Sequence, residues 1–349
     1  MKSEKTKFRA LSFFIFSFSL FTCSEAQTWS TVGSGVKGSF TPLYVFNGKL
    51  YAADMDSVGK KATRIACWDG KKWGAPDSGL QGNITTMAEL NGKLYAGTEI
   101  GTGNNKLYNL LCWNDTIWKY IGSANGRINA LYVMKGELYI GGSFSKIDTV
   151  NAKHIAKYSE TEGWHKVGRG LPNNVWALIV FREMLYAGGQ FDAVERLNGK
   201  NWEEVFNQGQ EVKTGWVKGF ASYFDELYAC GEFNYLLKWN TQTWAPIGPF
   251  NDATSALIMY ENGLFAGGNF TSVPGIDNAF HIANYQSSTR AWNCMGGVIY
   301  WAGDCKAYTG TVNSLAVYKN ELYIGGQFMI AGGKIASNIA KWTVPVENK

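Results

Sequence analysis

The sequence predicts an all-β chain made of repeated copies of one small unit, and three observations lead to this fold class. An apolar phrase of the type Leu-Tyr-Ile-Gly-Gly occurs seven times, and a lone tryptophan follows each copy. The period is near 45 residues, which is typical of an array of supersecondary units. No amphipathic helix of convincing length lies beyond the N-terminus. The phrases begin at Leu50, Leu94, Leu138, Leu185, Leu227, Leu264 and Leu322.

Each unit contains four apolar runs separated by turn residues. In the third unit these runs are 128–134, 137–142, 155–158 and 164–167, and they are rich in Ile, Val, Tyr and Trp. Short runs of this composition, bounded by Gly, Asn and Ser, are typical of β-strands. The pair Lys135-Gly136 stands between the first two runs, where a two-residue hairpin turn needs positive φ angles. The unit is therefore predicted to be a four-stranded antiparallel sheet.

Two further features of the unit are predicted to be structural. The Gly-Gly pair indicates a close approach of another backbone, as expected where several sheets crowd around one axis. One large flat side chain per sheet suits packing between neighbouring sheets. These tryptophans are Trp29, Trp73, Trp118, Trp164, Trp202, Trp244 and Trp292.

The two ends of the repeat region are complementary. Residues 28–33 read as a fourth strand without its first three, and residues 338–342 read as a third strand without its fourth. An N-terminal strand that completes the C-terminal sheet closes a ring and removes open sheet edges. A linear array would instead need capping repeats at both ends. The sequence thus predicts a seven-bladed β-propeller of four-stranded antiparallel blades.

The unit resembles the kelch and galactose-oxidase-type propeller repeat, most closely a variant found in secreted bacterial propellers. The resemblance covers roughly residues 27–343 and implies a fold rather than an activity. It also implies that ligands bind the face carrying the strand 2–3 and strand 4–1 connections. The chain departs from the pattern at Ala52-Ala53 and at Leu197. The matching residues are the Gly-Gly pair, the tryptophan of each unit, and the third-strand aromatics as in Ala66-Cys67-Trp68, Ala156-Lys157-Tyr158 and Ala340-Lys341-Trp342.

The N-terminus has the features of a secretory signal peptide. Basic residues precede an apolar run from Ala10 to Phe21, and small residues precede Gln27. The run is too short to span a bilayer. We expect cleavage after Ala26, so that residues 1–26 are the signal peptide and 27–349 form one propeller domain. A lipoprotein anchored through Cys23 is the alternative. Both readings predict a secreted, periplasmic or cell-surface protein.

The charge of the chain excludes some partners. Removal of the four basic and two acidic residues of segment 1–26 lowers the formal net charge from +5 to +3. This mild excess and the lack of a basic run argue against nucleic-acid binding. No transmembrane segment and no cofactor motif is expected, and we expect a monomer.

The cysteines fall into two groups. Cys67 and Cys112 occupy equivalent third-strand positions, and facing sheets pack about 10 Å apart, whereas a disulfide needs Cα atoms within about 7 Å. We expect these two to be free and at least partly buried, and Cys230, which replaces the first glycine of its phrase, to be buried as well. Cys294 and Cys305 flank the longest insertion in the repeat, and a disulfide is expected between them in an oxidising compartment.

The loop 294–305 is the largest departure from the repeat and the first candidate for a ligand site. A stapled loop presents side chains at low entropic cost. Tyr300, Trp301 and Tyr308, together with Trp216 from another connection, are predicted to form stacking platforms for sugar rings or peptide side chains. The alternative is that Tyr300 and Trp301 fold down and plug the channel mouth. The strand 2–3 loops are short only in units four and five, which predicts a low side to this face.

Catalytic signatures are sparse. His154 and His281 occupy the same position in units three and six, and with Arg64 they form a weak candidate set for a lyase acting on an acidic substrate. Asp252 and Asp304 are weak candidates for a glycosidase pair, which needs two carboxyl groups about 5–9 Å apart. No metal-ligand spacing is present.

Three functions remain open at this point. The first is a non-enzymatic module that binds a glycan or an extracellular protein on the face carrying loop 294–305. The second is a carbohydrate-active enzyme, a polysaccharide lyase or glycosidase, on the same face. The third is a structural surface module without a small ligand.

Overall fold

The computed structural model describes residues 28–36, 39–55, 65–74, 80, 82–101, 103–114, 116–205, 215–240, 242–301 and 307–343. Side chains are described at all of these except 39–41, 54–55, 301 and 307–309. Every regular element within these ranges is a β-strand, and all the strand pairings are antiparallel. The signal-peptide region 1–26 lies outside the described residues.

The repeat strands fall into four positions. The first strands are Ser39–Phe46, Asn83–Leu90, Ile128–Met134, Val175–Phe181, Val217–Tyr223, Thr254–Tyr260 and Thr311–Tyr318. The second strands are Lys49–Met55, Lys93–Ile100, Glu137–Gly142, Met184–Gly189, Glu226–Gly231, Gly263–Gly268 and Glu321–Gln327. The third strands are Ile65–Trp68, Leu107–Trp113, Ile155–Ser159, Val194–Asn198, Leu236–Trp239, Ile282–Gln286 and Ile339–Thr343. The fourth strands are Trp73–Gly74, Trp118–Ala124, Gly163–Lys166, Asn201–Val205, Trp244–Ile247, Ala291–Cys294 and, for the last unit, Thr28–Thr31.

These strands pair in the order first, second, third, fourth to give sheets one to seven, numbered along the chain. Sheet seven takes its fourth strand from the N-terminal side of the described chain. Thr28–Thr31 pairs with Ile339–Thr343, with Trp29 opposite Trp342. Each first strand packs against the first strands of the two neighbouring sheets, and the first strand of sheet seven packs against that of sheet one.

The turns between first and second strands adopt the conformation that the sequence predicts. Lys135 and Gly136 have φ angles of 52° and 75°. The turn residues Arg182 and Glu183 also have positive φ angles, of 47° and 61°, although neither is a glycine. Positive φ at both central residues matches the twist of the flanking strands and makes the tight hairpin. The predicted two-residue turn at Lys135-Gly136 is therefore confirmed.

The two glycines of the repeat phrase serve different contacts. A methyl group on Gly141 would overlap Val175 in the first strand of the next sheet, as the crowding argument predicts. A methyl group on Gly142 would instead overlap the carbonyl oxygen of Arg127 in its own sheet. A bulge at Asn129 in the first strand lies opposite this pair. The second glycine therefore accommodates the bulge within its own sheet. The repeat pattern alone does not reveal this role.

Four of the seven repeat tryptophans link neighbouring sheets by hydrogen bonds within the described residues. The indole N–H of Trp244 donates to the carbonyl of Val205 at 3.2 Å, three residues after the tryptophan of the preceding sheet. Trp202 and Trp73 make the same bond to Val167 and Val32, and Trp29 makes it to Met295. The bonds of Trp29 and Trp73 join sheet six to sheet seven and sheet seven to sheet one. A structural role for these side chains therefore follows from their contacts.

The cysteines outside the insertion behave as predicted. Cys67, Cys112 and Cys230 are buried, and none of them is in a disulfide among the described residues. Burial raises the pKa of the Cys230 thiol to about 12. These thiols are therefore protonated and packed as small apolar groups. Cys305 lies outside the described residues, so its disulfide with Cys294 stays a prediction.

Candidate functional site

The connections between second and third strands give one face of the molecule an uneven rim. In sheets four and five they are only residues 190–193 and 232–235. In sheet three the connection forms an extra hairpin, Lys146–Ile147 with Val150–Asn151, whose Ile147 pairs with Ala124 of sheet two. The predicted low side of this face is therefore present at sheets four and five.

The insertion 294–305 is joined to a second raised connection. Val298–Trp301 pairs with Ala307–Thr309 and, on its other edge, with Ile330–Ala331 from the strand 2–3 connection of sheet seven. A further strand, Lys334–Ile335, completes this small sheet. The insertion is thus a strand pair held in a four-stranded sheet at the high side of the rim.

The predicted platform residues are placed unequally. Tyr300 is half-buried in the small sheet, with its backbone opposite that of Tyr308. Cys305 and Asp304 lie outside the described residues, as do the side chains of Trp301 and Tyr308. The two alternatives for Trp301, a stacking platform or a plug of the channel mouth, therefore concern a side chain outside the described part of the structure.

Trp216 lies elsewhere, at the low side of the rim, and it has a partner that the sequence analysis missed. Its ring meets that of Trp176 edge-on, with centroids 5.5 Å apart at 81°. Trp216 is 39% exposed and Trp176 is half-buried. The ammonium group of Lys218 lies 5.9 Å from the centroid of Trp176 and 2.8 Å from the carboxylate of Glu232. We call these four residues the tryptophan pair site.

The bulge in each first strand explains why these side chains meet. The extra residue is Thr85 in sheet two and Asn129 in sheet three, and each donates a hydrogen bond to the first strand of the next sheet. In sheets four and five the extra residues are Trp176 and Lys218. At the low side of the rim, the bulge residue is therefore a tryptophan or a lysine instead of a short polar residue that bonds to the next sheet. Alignment of the seven units on the bulge would have revealed this exchange.

The two histidines occupy a backbone position that is repeated between sheets. His154 and His281 have φ angles of 65° and 76°, and Asn338 has 66° at the same position of sheet seven. Asn and His are among the non-glycine residues enriched in this left-handed region. At all three positions the C=O accepts a hydrogen bond from the second glycine of the phrase, as in Gly268 N–H to His281 C=O at 3.1 Å. The N–H donates to the carbonyl of a phenylalanine just after the second strand, as in His281 N–H to Phe270 C=O at 2.8 Å.

His281 is 1% exposed, and neither ring nitrogen has a well-aligned hydrogen-bond partner among the described residues. Burial lowers its pKa, and the nearby backbone groups of Gly268 and Asn269 oppose this effect only in part. The pKa of His154 is lowered by burial as well. Both imidazoles are therefore neutral in the folded protein near pH 7.

This burial predicts an acid-sensitive stability with a testable origin. The unfolded chain protonates His281 at its ordinary pKa near 6.5, whereas the folded chain protonates it only at lower pH. Stability from this residue is present above about pH 6.5 and is lost as the pH falls below it. We expect His281→Asn to fold and to show a smaller loss of stability between pH 7 and pH 5. Urea unfolding at both pH values measures this, and an unchanged pH dependence would contradict it.

Only one of the other catalytic candidates, Asp252, lies within the described residues. Arg64 and Asp304 lie outside them. Asp252 is exposed and accepts a 2.6 Å hydrogen bond from the N–H of Ala253. No group of three or more His, Cys, Asp or Glu side chains arranged for a metal ion occurs within the described ranges. The same ranges contain no helix long and apolar enough to cross a membrane.

Comparison with known proteins supports the fold alone. No family model and no curated protein matches the chain. The WD40 beta propeller domain of Doa1 superposes with a TM-score of 0.61 at 9% identity, covering 90% of this chain and 96% of that one. The designed Ika8 protein has a TM-score of 0.55 at 13% identity, covering 90% and 99%.

A third similar structure is extracellular. It is the extracellular domain of BT4673 from B. thetaiotaomicron, named as a hybrid two component system, with a TM-score of 0.61 at 13% identity. The match covers 90% of this chain but only 39% of that one. The chain thus has an all-β, propeller-like fold of four-stranded antiparallel sheets.

Proposed function

We propose that this protein is a secreted binding module, a seven-bladed closed propeller of the kelch-related type, whose tryptophan pair site binds a glycan. Three observations support the closed ring. They are the contact between the first strands of sheets seven and one, the pairing of Thr28–Thr31 with Ile339–Thr343, and the indole bonds of Trp29 and Trp73. The predicted signal peptide and the extracellular domain of BT4673 support secretion.

The half-exposed indole of Trp216 is the observation that carries the glycan proposal. Its edge-on contact with Trp176 fixes the ring while leaving part of it open to solvent. An amphipathic ring of this kind can bind the C–H face of a sugar, and it loses little conformational entropy on binding. Lys218 and Glu232 stand beside it and can bond to hydroxyl groups. The low rim of sheets four and five leaves room for an extended chain to enter.

Catalysis is not part of this proposal. His154 and His281 share their left-handed backbone with Asn338, which is a structural reason for a histidine at that position. Asp252 already accepts a hydrogen bond from its own connection. Among the residues that the structure describes, no specific contact favours a lyase or a glycosidase.

We expect wild-type protein to bind a subset of a glycan array and Trp216→Ala to lose at least tenfold in affinity for the same glycans. Trp176→Ala should weaken binding as well, because it removes the support for Trp216. The matched control is Phe224→Ala, which removes an 86% exposed aromatic from a turn between first and second strands and should bind like wild type.

The array and the affinities of its hits, measured by calorimetry, decide between the functions. Binding that survives both tryptophan substitutions would place the ligand elsewhere and contradict the site. Hits confined to a parallel peptide array would replace the glycan by a protein ligand. No hit on either array would favour the structural module.

A further inference from the structure

Sheet four lacks a side chain that the other six sheets possess. In those sheets a third-strand aromatic stacks on the tryptophan of the fourth strand, as in Trp239 and Trp244 with ring centroids 5.3 Å apart. In sheet four the residue opposite Trp202 is Leu197. The other pairs are Trp68–Trp73, Trp113–Trp118, Tyr158–Trp164, Tyr285–Trp292 and Trp342–Trp29.

The missing ring leaves a cavity between sheets three and four. In sheet three, Tyr158 occupies the equivalent place and packs on Tyr95 of the preceding sheet, with centroids 6.2 Å apart. Leu197 faces the corresponding Tyr139 but is too short to fill this space. A groove of about 540 Å³ opens there, and both residues line it together with Val167. A volume of this size is typical of small-molecule sites.

The rim of this groove is strongly basic. Lys157, His165, Lys166, Arg169 and Lys200 all line it, against one acidic side chain, Glu162. These side chains come from two neighbouring sheets. Lys157 and His165 are cross-strand neighbours in sheet three, and Lys200 lies in the turn between the third and fourth strands of sheet four. Five cationic or protonatable groups around one cavity create a local field that attracts anions.

Two of these five groups have no acidic partner among the described residues. His165 lies 3.5 Å from Glu162. Lys157 is paired with Glu137 at 2.7 Å. Lys166 and Lys200 form no ion pair within the described ranges. Arg169 lies 3.6 Å from Glu195, which is 1% exposed and has one carboxylate oxygen without a hydrogen-bond partner among the described residues. Burial raises the pKa of Glu195, and the nearby Arg169 opposes this effect.

We propose that the groove between sheets three and four is a second binding site, which takes an acidic saccharide of about two rings. The apolar floor of Tyr139, Val167 and Leu197 suits the face of a sugar ring, and the cationic rim suits carboxylate or sulfate substituents. This site lies at the outer strands and is independent of the tryptophan pair site. Sulfated sugars and uronic acids share the required chemistry, and the test separates them.

Leu197→Trp is the decisive variant, because it restores the aromatic that four other sheets carry as tryptophan and so fills the groove. Calorimetry would use a sulfated disaccharide, digalacturonic acid, the neutral disaccharide lactose and inorganic sulfate. We expect wild type to bind one or both acidic disaccharides and Leu197→Trp to weaken that binding at least tenfold with no fall in melting temperature. The double variant Lys166→Glu/Lys200→Glu should have the same effect if Leu197→Trp folds poorly.

Two controls separate this site from charge alone and from the other site. Lys119→Glu changes an exposed lysine of sheet two and should bind like wild type. Trp216→Ala should also leave acidic-disaccharide binding intact, so that failure of the glycan-array prediction leaves this test readable. The site is overturned if no acidic disaccharide binds, if lactose or inorganic sulfate binds equally well, or if Leu197→Trp has no effect.

Discussion

Replacement of Gly326 by alanine is expected to lower the free energy of unfolding by about 3 kcal/mol or more, the upper range for overpacking a fixed site. An alanine Cβ there would overlap the carbonyl oxygen of Thr311. That oxygen belongs to the first strand of sheet seven, whose ladder with the second strand would have to shift. Gly326 has no positive φ, so the cost is steric rather than torsional. The midpoint of urea unfolding, followed by tryptophan fluorescence, measures the change.

Gly74→Ala is the matched control. Gly74 also lies in a strand without positive φ, and a methyl group there would meet its nearest neighbour, the Cys67 sulfur, only at 3.6 Å. It should therefore be neutral or slightly stabilising, because alanine restricts the unfolded chain more than glycine does. If Gly326→Ala also changed the free energy of unfolding by less than about 0.5 kcal/mol, the size of an ordinary surface substitution, the bulge would be more adaptable than its contacts indicate.

Sheet one departs from the phrase at both glycine positions. It has Ala53 where sheet three has the first glycine, and Asp54 where sheet three has the second. The register of this sheet passes from Phe40 opposite Asp54 to Leu43 opposite Ala52, which leaves two residues of the first strand facing Ala53. In sheets two to seven the register skips a single residue of the first strand instead. A departure from the repeat in one strand thus coincides with a different pairing of its partner.

Much of the fold was predictable because each sheet repeats the same local chemistry. The Leu-Tyr phrase, the turn pairs such as Lys135-Gly136 and the lone tryptophan give strand order and register without knowledge of the neighbours. The hydrogen bond from Trp244 to Val205 was not predictable in the same way, since its acceptor is a backbone carbonyl of another sheet. Backbone acceptors have no sequence signature.

The candidate sites were less predictable for a related reason. The low rim followed from loop lengths, and Trp216 was identified as an aromatic outside the repeat. Its partner Trp176 was missed because a tryptophan within a predicted strand reads as core, and only the bulge turns it outward at the rim. Leu197 departs from the third-strand aromatic of the repeat, but the groove beside it is also lined by Tyr139 of the adjacent sheet. A cavity between two sheets can be recognised only when the structure of both sheets is known.

Trp244→Ala is expected to cost about 3–5 kcal/mol, the range for truncating a buried aromatic. The side chain is 3% exposed, stacks on Trp239 and donates its N–H to Val205. Trp244→Phe keeps most of the packing but leaves the Val205 carbonyl without this donor. We therefore expect Trp244→Phe to lower the free energy of unfolding by less than Trp244→Ala does. Urea unfolding of both variants measures the difference.

The hydrogen bond itself can be isolated by comparison with Trp164. Its indole nitrogen is buried without a hydrogen-bond partner among the described residues, so Trp164→Phe removes a ring of the same kind and no bond. Trp244→Phe should therefore destabilise the protein by about 1 kcal/mol more than Trp164→Phe, the typical net contribution of a hydrogen bond. Equal losses would mean that the tryptophans hold adjacent sheets together through packing alone. A larger loss at Trp244 would mean that each indole bond contributes to the cohesion of neighbouring sheets, including those that Trp29 and Trp73 make on either side of sheet seven.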